Sequence, residues 1–83
     1  MITAKEALDV AVNYLREFYT KISNILLEEI ELTEDERYWL ITLSYRKVDA
    51  SIALGILPPR QYKVFKIDAA KGQVVSMKMR DVK

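Results

Sequence analysis

One stretch, Thr3 to Ile22, is the only long segment of this chain with a helical period, and the remainder has to fold around it. Ala4, Ala7, Leu8, Ala11, Val12, Leu15, Phe18, Tyr19 and Ile22 recur at three- and four-residue spacing, which gathers them into one stripe. Lys5, Asp9, Asn13, Arg16 and Glu17 take the opposite side. Thr3 followed by Glu6 has the form of a capping box, so the helix is expected to start there. Ser23 and Asn24 interrupt the stripe and favour side-chain bonds to the backbone, which places the end near Ile22. At about 1.5 Å per residue such a helix is roughly 30 Å long, the span of a strand of about nine residues. One helix can therefore cross one small sheet.

The segments after it alternate rather than repeat helically. Ile25 to Leu32 and Arg37 to Tyr45, separated by acidic TEDE, read as a β-hairpin. A loop of either Glu34-Asp35 or Thr33 to Glu36 puts Leu26, Ile30 and Leu32 with Trp39, Ile41 and Leu43 on the helix side. Leu27, Glu29 and Glu31 then share the outer side with Tyr38, Leu40 and Thr42, and Glu28, opposite Ile41, is expected at the rim of an edge strand. Gln61 to Asp68 and Gln73 to Arg80 form a second hairpin, its loop Ala70-Lys71-Gly72 closed by a positive φ at Gly72. This pairing sets Ile67 against Val75 and Phe65 against Met77 on the inner face, where Trp39, Met77 and Met79 are expected as core. Tyr62, Val64, Lys66 and Asp68 point outward with Arg80, Lys78, Ser76 and Val74. The expected fold is α+β, one N-terminal helix packed on a four-stranded antiparallel sheet in an α-β-β-β-β meander, a single domain over residues 1–83.

Between the hairpins, Arg46 to Arg60 is broken by Gly55 and Pro58-Pro59 yet is apolar at Ile52, Ala53, Leu54, Ile56 and Leu57. Such side chains are costly to leave in water, so the loop either folds back over the outer sheet face or meets another chain. The outer set Tyr38, Leu40, Tyr62 and Val64 has the same need of a cover.

Composition narrows the chemistry. The chain has neither Cys nor His, which removes the commonest general base, the commonest metal ligand and the usual nucleophile pairings. No catalytic residue, cofactor or metal is expected. Thirteen Lys and Arg against twelve Asp and Glu leave a net charge of +1, too little to draw in nucleic acid or an anionic membrane. The opening MITAKEALDV has no basic region ahead of an apolar core, and no apolar run approaches the ~20 residues that span a bilayer. The chain is expected to be soluble and cytoplasmic. Glu28, Glu29, Glu31, Glu34, Asp35 and Glu36 lack the spacing of a calcium loop and read as a solvated hairpin tip. Lys63, Lys66, Lys71, Lys78, Arg80 and Lys83 could form a phosphate-contacting strip, but alternation makes some of them simply the polar face of two strands, and the near-neutral total charge argues against nucleic acid.

Two segments carry a family resemblance. The opening ITAKEALDVAVNYL, a hydroxyl cap and an Ala-rich amphipathic helix, together with the ending YKVFKIDAAKGQVVSM, where Tyr62, Phe65, Asp68, Ala69 and Gly72 stand in sequence, resembles PepSY-type domains. The resemblance implies a cystatin-like α+β unit of a kind proposed to bind or inhibit peptidases, and it brings no catalytic residue. Arg46 to Arg60 is an insertion relative to that unit. The expected function is a non-catalytic protein-binding module, of peptidase-inhibitor or regulatory type, working through Tyr38, Leu40, Ile52, Leu54, Ile56, Leu57, Tyr62 and Val64. Its partner is another protein or a second copy; a structural homodimer or a small-ligand binder is the alternative.

Overall fold

The computed structural model describes residues 1–48 and 54–80, and within them the expected α+β arrangement is present. Helix α1 (Ala4–Phe18) is followed by strands β1 (Ile22–Leu32), β2 (Tyr38–Lys47), β3 (Gln61–Asp68) and β4 (Val74–Met79), forming one antiparallel sheet in the order β1-β2-β3-β4. The capping box forms as read: Thr3 Oγ1 accepts from the Glu6 N–H at 3.1 Å and Glu6 Oε1 from the Thr3 N–H at 3.0 Å. The helix ends four residues earlier than its apolar stripe. Tyr19 turns to an extended conformation while its N–H still donates to Leu15 O at 2.9 Å, which caps the helix. Its ring then lies 5.9 Å from that of Tyr45, and Ile22 already pairs with Lys47 in the sheet. The last apolar positions of the stripe thus belong to the cap and to β1, and Phe18 is exposed.

The core lies between α1 and one face of the sheet. Ala7, Ala11 and Leu15 are fully buried against Ile41, Leu43, Tyr45, Phe65 and Ile67, with the two alanines letting the helix sit close. Trp39 borders this cluster and its indole N–H donates to Ile2 O at 3.2 Å. The chain start is tied to both hairpin ends, since the Ile2 N–H donates to Ala69 O (2.8 Å) and the Ala69 N–H to Arg37 O (2.9 Å).

Registers differ from the sequence expectation in three places. In the first hairpin Thr33 pairs with Tyr38, so the loop is Glu34 to Arg37; Asp35 Oδ1 accepts from Thr33 Oγ1 (2.7 Å) and from the Arg37 N–H (3.1 Å), fixing that turn. Pairing moves by two residues, which keeps the faces, and Ile30 meets Ile41 while Leu32 meets Trp39. Second, a bulge at Glu28 swaps the faces beyond it: Leu27 pairs with Leu43 and Leu26 with Ser44, the reverse of the expected sides, and both leucines are exposed. A second bulge includes Asn24, which adopts a left-handed φ of 54°. Third, a bulge in the second hairpin pairs Ile67 with Val74 rather than Val75, so Val74 packs on the core and Val75 is exposed. Phe65 faces Met77 as expected, but Met79 is exposed rather than core. Gly72 does take a positive φ, 71°.

Candidate protein-binding face

The alternation of β2 and β3 sends Tyr38, Leu40, Thr42 and Ser44, with Tyr62, Val64, Lys66 and Asp68, to the side away from the helix. Of the expected site residues, Tyr38, Leu40, Tyr62 and Val64 share this face and are partly buried. Tyr38 lies beneath two cations, Lys66 Nζ at 4.3 Å and the Arg37 guanidinium at 5.7 Å from its ring centre. Leu54, Ile56 and Leu57 are 78%, 57% and 69% exposed, so these three do not fold back over the sheet. Ile52 lies outside the described residues.

The loop is nevertheless anchored on the outer side. Pro58 is buried, and its carbonyl accepts from the guanidinium of Arg46, an outer-face residue of β2. Arg60 donates through Nε to Ser44 Oγ at 3.0 Å and through its terminal nitrogen to Asn24 O, while Ser44 Oγ donates to Glu28 Oε2 at 2.6 Å. The chain of Arg60, Ser44 and Glu28 staples the return strand to the bulged part of β1. A second polar link crosses the sheet from β4: Arg80 donates to Thr42 Oγ1 (3.1 Å) and pairs with Glu29 (3.1 Å). Glu28, Glu29, Thr42, Tyr62 and Arg80 line a shallow cleft of about 170 Å³. Neither link was legible in the sequence, because the first depends on the bulge at Glu28 and the second on the turn register that sets Glu29 beside Thr42.

Elsewhere, Phe18, Tyr19, Ile22, Lys47 and Val48 line an apolar groove of about 330 Å³ at the C-terminal end of α1, which holds none of the expected site residues. Three shifted groups among the described residues each have a structural cause. The Thr3 cap lowers the Glu6 carboxyl, the Thr33 hydroxyl and Arg37 N–H lower Asp35, and burial, with Tyr19 beside it, raises the Tyr45 hydroxyl. Lys63 sits on the inner face, where alternation with Phe65 and Ile67 puts it, 7% exposed and with its ammonium 5.0 Å from the Tyr19 ring centre. Among the described residues no three carboxylates converge as a metal site, and no helix is long and apolar enough to cross a membrane. No protein-family model matches the chain, and no match is found among curated proteins or solved structures.

Proposed function

We propose that this protein is a non-catalytic protein-binding module whose contact surface is the outer sheet face together with Leu54, Ile56 and Leu57. The observation that carries the reading is the exposure of those three apolar side chains on a segment whose next residue, Pro58, is buried and held by Arg46 of the outer face. An apolar run held in place at a sheet margin is available for docking without first being ordered, which lowers the cost of association. The peptidase-binding role implied by the PepSY-type resemblance is one specific form of this reading. A non-catalytic role is supported by the lack of Cys and His and by the Glu6, Asp35 and Tyr45 environments, each accounted for by a cap, a turn or the core.

The test is affinity purification of tagged protein beside the Leu54→Ser, Ile56→Ser double variant, with native mass measured on the eluates and circular dichroism to check the fold. Association with another protein or with a second copy, lost in the folded variant, is the expected result. Undiminished association in the variant would remove this surface from consideration.

A further inference from the structure

We infer that the helix side of the sheet holds a second site, for a small amphipathic carboxylate whose head takes the Lys63 ammonium and the Tyr45 hydroxyl and whose apolar tail lies in the groove at the end of α1. This goes beyond the protein-binding reading and uses none of its surface. Lys63 and Tyr45 are diagonal neighbours on the inner face, because β2 and β3 pair Leu43 with Lys63 and Tyr45 with Gln61. Both are buried, Tyr45 completely and Lys63 to more than nine-tenths. Lysine is among the residues least often buried without a counter-charge, and an unpaired hydroxyl in a core is costly. Among the described residues the one ion pair joins Arg80 to Glu29, so no carboxylate neutralises Lys63, and the Tyr45 hydroxyl has no partner. Two buried donors thus stand side by side, and a carboxylate head has an oxygen for each.

Tyr19 connects the two halves of the site. Its ring centre lies 5.0 Å from the Lys63 ammonium and 5.9 Å from the Tyr45 ring centre, and the same side chain lines the groove of about 330 Å³. That volume is at the small end of the roughly 300–1,000 Å³ of ligand pockets, which suits a short tail. The groove is built where α1 gives way to β1: Tyr19 caps the helix, Ile22 pairs with Lys47, and the Val48 N–H donates to Lys21 O at 2.9 Å. Its apolar lining is Phe18, Tyr19, Ile22 and Val48, its charged lining is Lys21 and Lys47, and no acid lines it. Arg16 in the last helical turn and Lys63 behind Tyr19 bring the cations to four. Against them stand Glu17 and Asp49, which adjoin lining residues in the sequence, and about half a negative charge at the helix C-terminus. The balance stays positive, which favours an anion and disfavours a cation of the same shape. When the head reaches Lys63 the Tyr19 ring swings off it, and a cation–π contact is exchanged for a stronger charge-assisted hydrogen bond.

The experiment titrates the full chain with decanoate, kept below the concentration at which it forms micelles, and follows the backbone amides by NMR. Decanol and decyltrimethylammonium are run beside it, since they carry the same tail on a neutral and a cationic head. Decanoate should give saturable shifts at Phe18 to Ile22, Tyr45, Lys47, Val48 and Lys63, and the other two should bind about tenfold more weakly or worse, for want of the charge-assisted hydrogen bond. Lys63→Met and Tyr45→Phe remove one donor each while keeping the length or the ring. Each should weaken decanoate about tenfold and leave decanol unchanged, and melts should show no loss of Tm, which separates a lost head-group contact from a damaged fold. Val48→Glu, at an exposed position, puts an acid in the groove and should abolish decanoate binding with the core intact. Decanoate and decanol bound alike, or decanoate undiminished by Lys63→Met and Tyr45→Phe, would overturn the proposal. So would shifts confined to the outer face, or shifts that stay linear to millimolar concentrations.

Discussion

Tyr45 is the residue at which the core is least satisfied. It is fully buried, and its hydroxyl has no hydrogen-bond partner among the described residues. An unpaired buried donor costs on the order of 1–3 kcal/mol, so Tyr45→Phe, which keeps the ring, should stabilise the fold by about 1 kcal/mol and raise Tm by roughly 4–8 °C. The pH dependence follows from the same burial. Because the hydroxyl is held above its ordinary 10.0 in the folded state, the unfolded chain releases its proton first. Tyr45 therefore contributes stability that is present below pH 10.0 and is lost as pH rises through the higher native value. Thermal melts across the alkaline range should fall less steeply for Tyr45→Phe than for the native protein. The carboxyls behave in the opposite sense. Glu6 and Asp35 are held below their ordinary 4.5 and 3.8, so their contributions are present above those values and are lost as pH falls through the lowered native ones. A Glu6→Gln, Asp35→Asn variant should show a flatter acid limb in the same melts. Gly72 is a third residue with a local demand: at φ 71° a methyl would meet Ile2 Cγ2 at 3.5 Å, an ordinary contact. Gly72→Ala should therefore cost only the left-handed strain, about 1 kcal/mol by denaturant titration.

Among the elements, the bulge of β1 organises the outer face. By placing Glu28 where Ser44 can donate to it, and Arg60 where it reaches both Ser44 and Asn24, it couples β1, β2 and the start of β3 in one polar chain. Ser44 is fully buried, and Ser44→Ala removes the middle of that chain at a cost of about 1–2 kcal/mol. Hydrogen exchange should show faster exchange at Arg60, Gln61 and the start of β1 in this variant, with the α1 amides unchanged; uniform loss of protection would mean that the staple is not local. The elements themselves were legible because a helical stripe and period-two alternation report which side of a segment is buried, and β3 matches its expected bounds of Gln61 to Asp68. Bulges were not legible, since an extra residue in one strand leaves no mark in composition. Two of the three exchanged a pair of side chains, Leu26 with Leu27 and Val74 with Val75, between faces. The helix end was misplaced because Tyr19 and Ile22 keep the helical spacing while serving the cap and the sheet. For the candidate face, alternation alone grouped Tyr38, Leu40, Tyr62 and Val64; the anchoring by Arg46 and Arg60 required three-dimensional proximity between residues far apart in the chain.

At the scale of the molecule, one side of the sheet is covered by a helix and the other only in part, by the Pro58 anchor and the Arg60 and Arg80 side chains over Ser44 and Thr42. The chain measures 47 × 26 × 18 Å with a radius of gyration of 13.8 Å. A compact chain of this length has about 12 Å. On the edge strand β1, Leu27 and Ile30 are exposed although they pair with the fully buried Leu43 and Ile41. Burial energy is accordingly concentrated where α1 crosses β2 and β3. Phe65→Ala, in that crossing, should cost about 3–5 kcal/mol, a large share of the roughly 4–12 kcal/mol available to a domain of this size. Leu40→Ala, on the outer side of the neighbouring strand, should cost less, about 1–2 kcal/mol, because its side chain is only partly buried. Denaturant titrations of the two variants at low protein concentration check the contrast. Equal losses would mean that the outer face is covered within a single chain, and the apolar loop would then be its own partner. Unequal losses that converge as protein concentration rises would instead locate the rest of the cover in another molecule, since a cover supplied by mass action stabilises Leu40 only when it is bound.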